Sequence, residues 1–194
     1  MEVKILSYTS NPEVTIARAM KSCRHIQPAH ALPLELKEEM PKLIRKAIKM
    51  GHESVLEHAS ITFSVEGVSR VCTHQLVRHR LASYSQQSGR HVMNLDFIIP
   101  ESTKKYLYVY DSELEKLYEL LQTMKNEGIP IEDIRYLLPN SVKTNIVVTM
   151  NLRELRHFFQ LRLSTEAQWE IKSLAAEMLK LAKQVAPNVF EDFQ

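Results

Sequence analysis

Glycine is scarce in this chain: four glycines occur among 194 residues, and neither GxGxxG nor GxxxxGKS/T is present. A nucleotide or flavin is therefore not held by a Rossmann or P-loop device. The two cysteines form no spaced framework, which fits a reducing compartment. No apolar run approaches the roughly 20 residues that a membrane helix needs, and the N-terminus lacks a hydrophobic signal segment. We expect a cytoplasmic protein without a membrane partner.

The remaining composition is that of an ordinary globular protein, with 44% hydrophobic and 25% charged residues and a net charge of +2. A charge so close to neutral argues against a broad nucleic-acid surface, so we expect no nucleic-acid partner. Short alternating segments lie between longer helical ones. This pattern predicts a single α+β domain over residues 1–194, with a small, mostly antiparallel sheet packed with several long helices.

Periodicity and capping residues give the expected elements. Ser69 and Asn151 are expected to begin helices, and Thr165 with Gln168 is expected to cap the last one. The predicted strands cover residues 3–8, 59–66, 95–99 and 142–150. The predicted helices cover residues 12–25, 34–50, 69–80, 102–126, 130–138, 151–163 and 165–186.

The segment from His52 to His58 looks at first like a zinc-protease helix. The HExxH pattern needs histidine at position 56, where this chain has Leu56, so we predict no metal site. The local alternative is a helix start in which Ser54 is the N-cap and Glu57 completes a capping box. That structural role does not exclude a ligand contact.

Residues 78–90 are the part of the chain richest in anion-binding groups, reading Arg-His-Arg-Leu-Ala-Ser-Tyr-Ser-Gln-Gln-Ser-Gly-Arg. No acidic residue occurs between Glu66 and Asp96. Three guanidinium groups suit bidentate phosphate binding. A solvated basic face is the alternative, but the absence of lysine and the short polar residues favour a shaped pocket. We expect residues 84–90 to be irregular and free to wrap a ligand.

Arg78-His79-Arg80, followed seven residues later by Ser88, resembles the RHR-x7-S motif of the flavin-dependent thymidylate synthases. The similarity covers most of the chain, from His52 to Ile171, whereas the first 50 residues and the 100–130 helix add little. The other matching segments follow in order: His-Glu-Ser at 52–54, Ser-Gly-Arg at 88–90, Asn-Leu-Arg at 151–153, His157, Leu-Arg at 161–162 and Ala-Gln-Trp-Glu-Ile at 167–171.

The resemblance implies reductive methylation of dUMP to dTMP. In that reaction 5,10-methylenetetrahydrofolate gives the carbon, and FAD that NADPH has reduced delivers the hydride. A homotetramer with active sites between subunits is also implied. No cysteine nucleophile is expected, because Cys72 lies on the apolar side of its helix and Cys23 is near no basic cluster.

The resemblance also assigns site residues. Arg162 and Ser88 are the catalytic candidates: Arg162 binds the uracil and favours its ionisation at N3. Ser88 acts as a ligand-binding hydroxyl, since no Ser-His-Asp arrangement supports a nucleophile. The expected dUMP contacts are Gln75, Arg78, Gln86, Gln87, Ser88, Gly89, Arg90, Arg135 and Arg162. The expected FAD contacts are Ser54, Arg78, His79, Arg80, Gln86, Asn151, Arg153 and His157, with His52 as a further one.

Two of these assignments have local alternatives. Arg135, alone on a short helix, is more typical of a surface residue, although the family has an arginine shortly before a Leu-Pro. Position 86 is Gln where some members carry Glu, which weakens a charged role there.

On the 151–163 helix, Arg153 and His157 are expected on one face and Arg162 on another, which indicates a helix shared between two pockets or two subunits.

Two other functional classes fit parts of the sequence. A nucleotide hydrolase or transferase without flavin could use the basic cluster for phosphate, but no metal-ligand cluster or carboxylate pair accompanies the motif. An RNA-binding module would need exposed aromatics for stacking, and Tyr84 is the one aromatic residue inside the cluster. A bound flavin would separate both classes from a thymidylate synthase.

Overall fold

The computed structural model describes residues 1–193 and gives an α+β architecture built on an antiparallel sheet. Its strands are β1 (Glu2–Tyr8), β2 (Ser60–Ser69), β3 (Ala82–Gln86) and β4 (Lys143–Asn151), in the spatial order β1-β2-β4-β3. All three pairings are antiparallel. The expected fold class is confirmed.

Helices of very different length surround the sheet. They are α1 (Pro12–Ser22), α2 (Glu39–Lys49), α3 (Arg70–Leu76), α4 (Leu107–Asn126), α5 (Ile131–Ile134), α6 (Leu152–Arg162) and α7 (Trp169–Val185). Short 3-10 segments occupy Ala29–Ala31, Glu53–His58, Glu101–Tyr106 and Arg135–Leu137. Among residues 1–193, no helix combines the length and the apolarity needed to cross a bilayer.

The alternating pattern of β2 explains its central position. Ile61, Phe63 and Val65 are fully buried, and Phe63 pairs with Val148 of β4. The apolar stripe of α7 and the phenylalanines of α6 belong to the same core cluster. Burial on both partners therefore sets the register of the two central strands, because a slip by one residue would turn these side chains to the other face.

The two helices nearest the basic motif begin where the central strands end. Ser69 caps α3 by accepting a hydrogen bond from the Cys72 amide, and Asn151 caps α6 by accepting one from the Glu154 amide. Both expected helix starts are confirmed. Because β2 and β4 are antiparallel, α3 and α6 begin at opposite ends of this pair. Their last turns meet, since Arg162 Nη2 donates to the Gln75 carbonyl at 3.3 Å.

Several expected boundaries are wrong for local reasons. The α2 helix begins at Glu39 and not at residue 34, because the Glu35 carboxylate accepts three backbone N–H groups just before it. Residues 53–58 form a 3-10 segment with no side-chain cap, so the capping box expected from Ser54 is wrong. The last helix is capped by Gln168, which accepts from two amides, and it begins at residue 169, not at Thr165.

The segment after the motif is more regular than expected. Residues 84–86 belong to β3, in which Tyr84 pairs with Val148, so the expectation of an irregular chain there is wrong. Within the segment 84–90, residues 87–90 are the part that lies outside a strand or helix. Conversely, the strand expected at residues 95–99 is a single bridge between Phe97 and Val142.

Candidate active site

A cavity of about 640 Å³ opens between the residues that follow α3 and the outer face of α6. We call it the first cavity. Two acids, Glu53 and Glu154, also line it. Its basic side chains all belong to the predicted set: Arg78, His79, Arg80, Arg153, His157 and Arg162. Within one chain, α6 therefore contributes Arg153, His157 and Arg162 to one cavity. That this helix is shared between two pockets or two subunits stays a prediction.

His79 is the centre of a buried polar contact in this cavity. Its Nδ1 lies 3.2 Å from a Glu154 carboxylate oxygen, and its Nε2 lies 3.0 Å from Arg162 Nε. The side chains of His79 and Glu154 are almost fully buried, whereas Arg162 is half-buried. A guanidinium N–H can only donate, so Nε2 must accept from Arg162. The ring is then neutral, and its proton lies on Nδ1 and is donated to Glu154.

Burial and neighbouring charge favour the same protonation state. Desolvation, and then the positive charge of Arg162 and the proximity of His157, lower the pKa of His79 to about 4. Desolvation also raises the pKa of Glu154 above its usual value. The His79 imidazole is therefore uncharged at neutral pH.

The two arginines beside His79 have different surroundings from the histidine. Arg78 and Arg80 are exposed, and within residues 1–193 neither has an ion-pair partner. Arg153 is also exposed and pairs with Glu57. These guanidinium groups form an accessible cationic rim that can bind a phosphate group from solvent.

A second cavity, of about 340 Å³, shares Arg153 with the first. His52 and Ser54, which the resemblance assigns to the flavin site, line it. Cys23 and Arg24 line it too. The expectation that Cys23 is near no basic cluster is therefore wrong, because the fold brings the end of α1 beside residues 52–54.

A third cavity, of about 460 Å³, contains Gly89 and Arg135 from the predicted set and adds Arg70 and His74. A Cβ atom at Gly89 would lie 3.3 Å from Arg70 Nη2 and 3.5 Å from Arg135 Cδ. A side chain at position 89 would therefore crowd the Arg70 guanidinium, which would have to shift by a few tenths of an ångström. Arg70 and His74 were not among the predicted site residues; their i, i+4 spacing on α3 was the available signal.

Ser88 and Arg90 lie in the turn beside the third cavity. Ser88 Oγ accepts a hydrogen bond from the Arg90 amide, and the Arg90 guanidinium pairs with Glu132 at 2.6 Å. Both residues are exposed. In this conformation an anion would have to replace Glu132 as the partner of Arg90.

The predicted glutamines and Asn151 do not line the first cavity. The Gln86 side chain donates to Thr73 and Thr144, which ties β3 to α3 and β4. The Asn151 side chain caps α6, as described above. In the described conformation these two side chains hold the framework of the site.

Gln75 and Gln87 contribute backbone contacts. The Gln75 carbonyl accepts from Arg162, and the Gln87 amide donates to the Asn145 carbonyl at 2.9 Å. Gln87 O also accepts from Arg70 Nη2 at 3.4 Å. Gln75 therefore lies beside Arg162 without lining the first cavity, whereas Gln87 lies next to the residues of the third.

Cysteine chemistry is disfavoured at Cys72. The side chain is fully buried, and desolvation raises the pKa of its thiol to about 12. A thiolate is the nucleophilic form of cysteine, and such a pKa leaves almost none at neutral pH. The expected absence of a nucleophile at this position agrees with that environment.

Comparison with known proteins identifies the family to which this chain belongs. A family model described as thymidylate synthase complementing protein matches residues 4–188. A flavin-dependent thymidylate synthase from Geobacter sulfurreducens is 44% identical over 200 residues, which cover 99% of this chain and 86% of the relative. The enzyme of the same name from Pyrococcus furiosus is 45% identical over 190 residues, covering 93% of this chain and 78% of the relative.

The fold also has a solved counterpart. The crystal structure of the UMP/dUMP methylase PolB from Streptomyces cacaoi, bound with 5-Br dUMP, superposes with a TM-score of 0.89. The superposition covers 99% of this chain and 94% of the other at 24% sequence identity. At that identity the likeness establishes a common fold.

Proposed function

The chain belongs to the thymidylate synthase complementing protein family, that of the flavin-dependent thymidylate synthases, and from this premise we propose that it converts dUMP to dTMP by reductive methylation. Its co-substrates are 5,10-methylenetetrahydrofolate as carbon donor and NADPH as reductant. The observation that carries the proposal is the first cavity, in which the RHR residues and Arg162 line one space. We infer that the reaction takes place in the cytoplasm.

The donor set of the first and second cavities suits FAD. Arg78 and Arg80, which are exposed and without ion-pair partners among residues 1–193, would hold the pyrophosphate. Arg153, shared by both cavities, allows one long ligand to extend from the RHR residues to Ser54. When bound, FAD supplies the hydride chemistry that no side chain offers.

Arg162 is the residue that we place against the uracil ring. Methylation at uracil C5 requires negative charge to grow on the ring, and a fixed guanidinium stabilises that charge electrostatically. Arg162 is held on two sides, by His79 at Nε and by the Gln75 carbonyl at Nη2. Nη1 has no recorded partner within residues 1–193, so it is available to the ligand.

The phosphate of dUMP fits the cations around the third cavity. Arg135 and Gly89 line it, Arg90 lies in the adjoining turn, and backbone amides of that turn add neutral donors. The first and third cavities share no lining residue. We therefore propose that one dUMP binds Arg162 of one subunit and the phosphate cluster of another, in a homotetramer with active sites between subunits.

The visible spectrum of the purified protein, followed during addition of NADPH with and without dUMP, tests the function. We expect flavin absorption bands that bleach faster when dUMP is present, because both ligands occupy one site. A colourless protein that takes up no added FAD would overturn the proposal.

The role of Arg162 is tested by Arg162→Ala. We expect this variant to keep FAD and to lose dTMP formation by two orders of magnitude or more, roughly the loss seen when a preorganised donor is removed. Arg45→Ala is the matched control, because Arg45 is an exposed arginine that pairs with Glu191 away from the three cavities. Normal turnover in Arg162→Ala would contradict the placement of Arg162 against the uracil ring.

A further inference from the structure

The Glu154 side chain makes a contact that the start of its helix does not need. As the third residue of α6, it would complete a capping box by bonding back to the Asn151 amide. Its backbone amide does bond the Asn151 side chain, but its carboxylate instead accepts from His79. Glu154 is 5% exposed. Burying a carboxylate there is costly, so a local capping role does not account for it.

The contacts form a chain from Glu154 through His79 to Arg162. Arg162 can only donate, so His79 Nε2 must be an acceptor, and the imidazole proton must lie on Nδ1. The Nδ1–H then requires an acceptor, and Glu154 provides it at 3.2 Å. Without this acceptor the proton would be free to move to Nε2, where it would face the Arg162 Nε–H donor.

We propose that Glu154 is a positioning residue for the pyrimidine-binding arginine: it fixes the Nδ1–H tautomer of His79, and this tautomer holds Arg162 with Nη1 free for the ligand. The inference rests on the proposed function only for the identity of that ligand. It also gives His79 a role within the chain, since both of its ring nitrogens are occupied by Glu154 and Arg162.

Packing around His79 limits the alternative orientations of the ring. Phe158 contacts it edge to face at 4.9 Å between ring centroids, and His157 lies at 5.8 Å. The ring therefore cannot turn away easily when its partner is lost. A change of tautomer, and not a change of rotamer, is the expected response to removal of the Glu154 carboxylate.

Two substitutions separate positioning from packing. Glu154→Gln keeps an amide oxygen that can accept from Nδ1–H, whereas Glu154→Leu removes the acceptor and keeps most of the volume. Glu13→Leu is the control, because Glu13 is also buried and accepts two hydrogen bonds from Asn188, outside the three cavities. All three variants are compared with the wild-type holoenzyme.

Titration calorimetry with dUMP gives the first readout. We expect Glu154→Leu to bind dUMP about tenfold or more weakly, as when a buried donor loses its partner. Glu154→Gln and Glu13→Leu should stay within about threefold of wild type. Steady-state kinetics should show a lower kcat for Glu154→Leu as well, since Arg162 acts on charge that develops during reaction. Wild-type dUMP affinity in Glu154→Leu would overturn the proposal.

The second readout does not depend on the activity. Histidine-selective ¹⁵N labelling and long-range ¹⁵N–¹H correlation distinguish the two tautomers, with His79 assigned from the spectrum of His79→Gln. We expect Nδ1–H in wild type and in Glu154→Gln. An Nε2–H tautomer in wild type would refute the positioning chain, even if Glu154→Leu fails to fold. If wild type showed Nδ1–H but bound no dUMP, the proposed function would fail and the chain of contacts would stand.

Discussion

At the residue scale, the three members of the RHR motif face different surroundings. Arg78 and Arg80 are exposed, whereas His79 between them is 4% exposed. The α3 helix ends at Leu76, residues 77 and 78 form a turn, and residues 79 and 80 belong to neither a helix nor a strand. The motif thus directs two cations outward and one imidazole into the protein. A motif of three adjacent residues therefore contains two separate functions.

The buried state of His79 has a consequence for stability against acid. Its pKa is lowered to about 4 in the folded protein, and an unfolded histidine titrates near 6.5. Between these two values His79 is protonated in the unfolded chain but not in the folded protein. The contribution of neutral His79 to the free energy of unfolding is therefore fully present above about pH 6.5 and is lost as the pH falls. We expect the free energy of unfolding to fall by about 3 kcal/mol between pH 7 and pH 4 from this group.

Urea denaturation at a series of pH values measures this effect. His79→Gln provides the comparison, because glutamine does not titrate and can still accept from Arg162. The difference in unfolding free energy between the two proteins should narrow as the pH falls from 6.5 to 4. Parallel pH profiles would show that His79 is not buried in its neutral form.

At the scale of elements, β3 is the strand that connects the motif to the sheet. The Tyr84 hydroxyl lies 2.8 Å from the carbonyls of Leu76 and His79, which flank the turn between α3 and β3. Burial raises the pKa of this phenol above its ordinary value. The strand therefore holds the turn from which His79 enters the protein.

Tyr84→Phe removes that contact and leaves the ring in place. We expect a loss of about 1 kcal/mol in the free energy of unfolding, the usual net contribution of one hydrogen bond, and a fall in Tm of about 2–4 °C. Affinity for dUMP should also weaken, because the same turn places the Gln75 carbonyl and His79 against Arg162. Differential scanning calorimetry and dUMP titration measure the two effects.

A matched control is available on another strand. Tyr8 of β1 is 54% exposed, and its hydroxyl has no recorded hydrogen bond within the 193 described residues. Tyr8→Phe should leave both Tm and dUMP affinity unchanged. An equal effect of the two substitutions on affinity would contradict the role given to Tyr84.

The elements that the sequence predicted well are those with strong periodicity. The alternation of β2 and β4 and the stripe of α7 mark buried faces, and Asn151 marks the start of α6. By contrast, β3 reads Ala-Ser-Tyr-Ser-Gln, which has little apolar content; its pairing with β4 depends on residues some 60 positions away. The local sequence pattern contains no information about such long-range pairing.

The same limit applies to the candidate site. The resemblance identified the cationic residues of the first cavity, but Glu154 was not among the predicted site residues. A carboxylate at the third position of a helix has a sufficient local explanation, so nothing in the sequence indicated a partner on another element. Burial of the carboxylate beside His79, 75 positions earlier in the chain, distinguishes the two roles.

At the scale of the whole molecule, α6 is held by the segment that follows α7. Arg156 is 3% exposed and bonds the Val189 carbonyl and both carboxylate oxygens of Asp192. The Arg156 guanidinium also lies 5.0 Å from the centre of the Phe193 ring. The segment after α7 therefore fixes the helix that carries Arg153, although Val189, Asp192 and Phe193 line none of the three cavities.

The subunit arrangement is the largest-scale feature of the proposed site. In one chain, Arg162 lies in the first cavity, and Arg135 lies in the third. If each active site takes these arginines from different subunits, Arg162→Ala and Arg135→Ala damage different halves of it. A mixed assembly then regains some intact sites. In these sites Arg162 comes from an Arg135→Ala subunit, and Arg135 comes from an Arg162→Ala subunit.

Mixing the two inactive variants tests this arrangement. After the 1:1 mixture is dissociated and reassembled, each arginine of a site has an even chance of being intact, so about one quarter of wild-type activity should return. Each variant reassembled alone should stay inactive, which controls for recovery caused by the procedure. If a site takes both arginines from one chain, no mixed tetramer contains an intact site. A mixture without activity, together with mass spectrometric proof that subunits exchanged, would therefore assign both arginines to the same subunit.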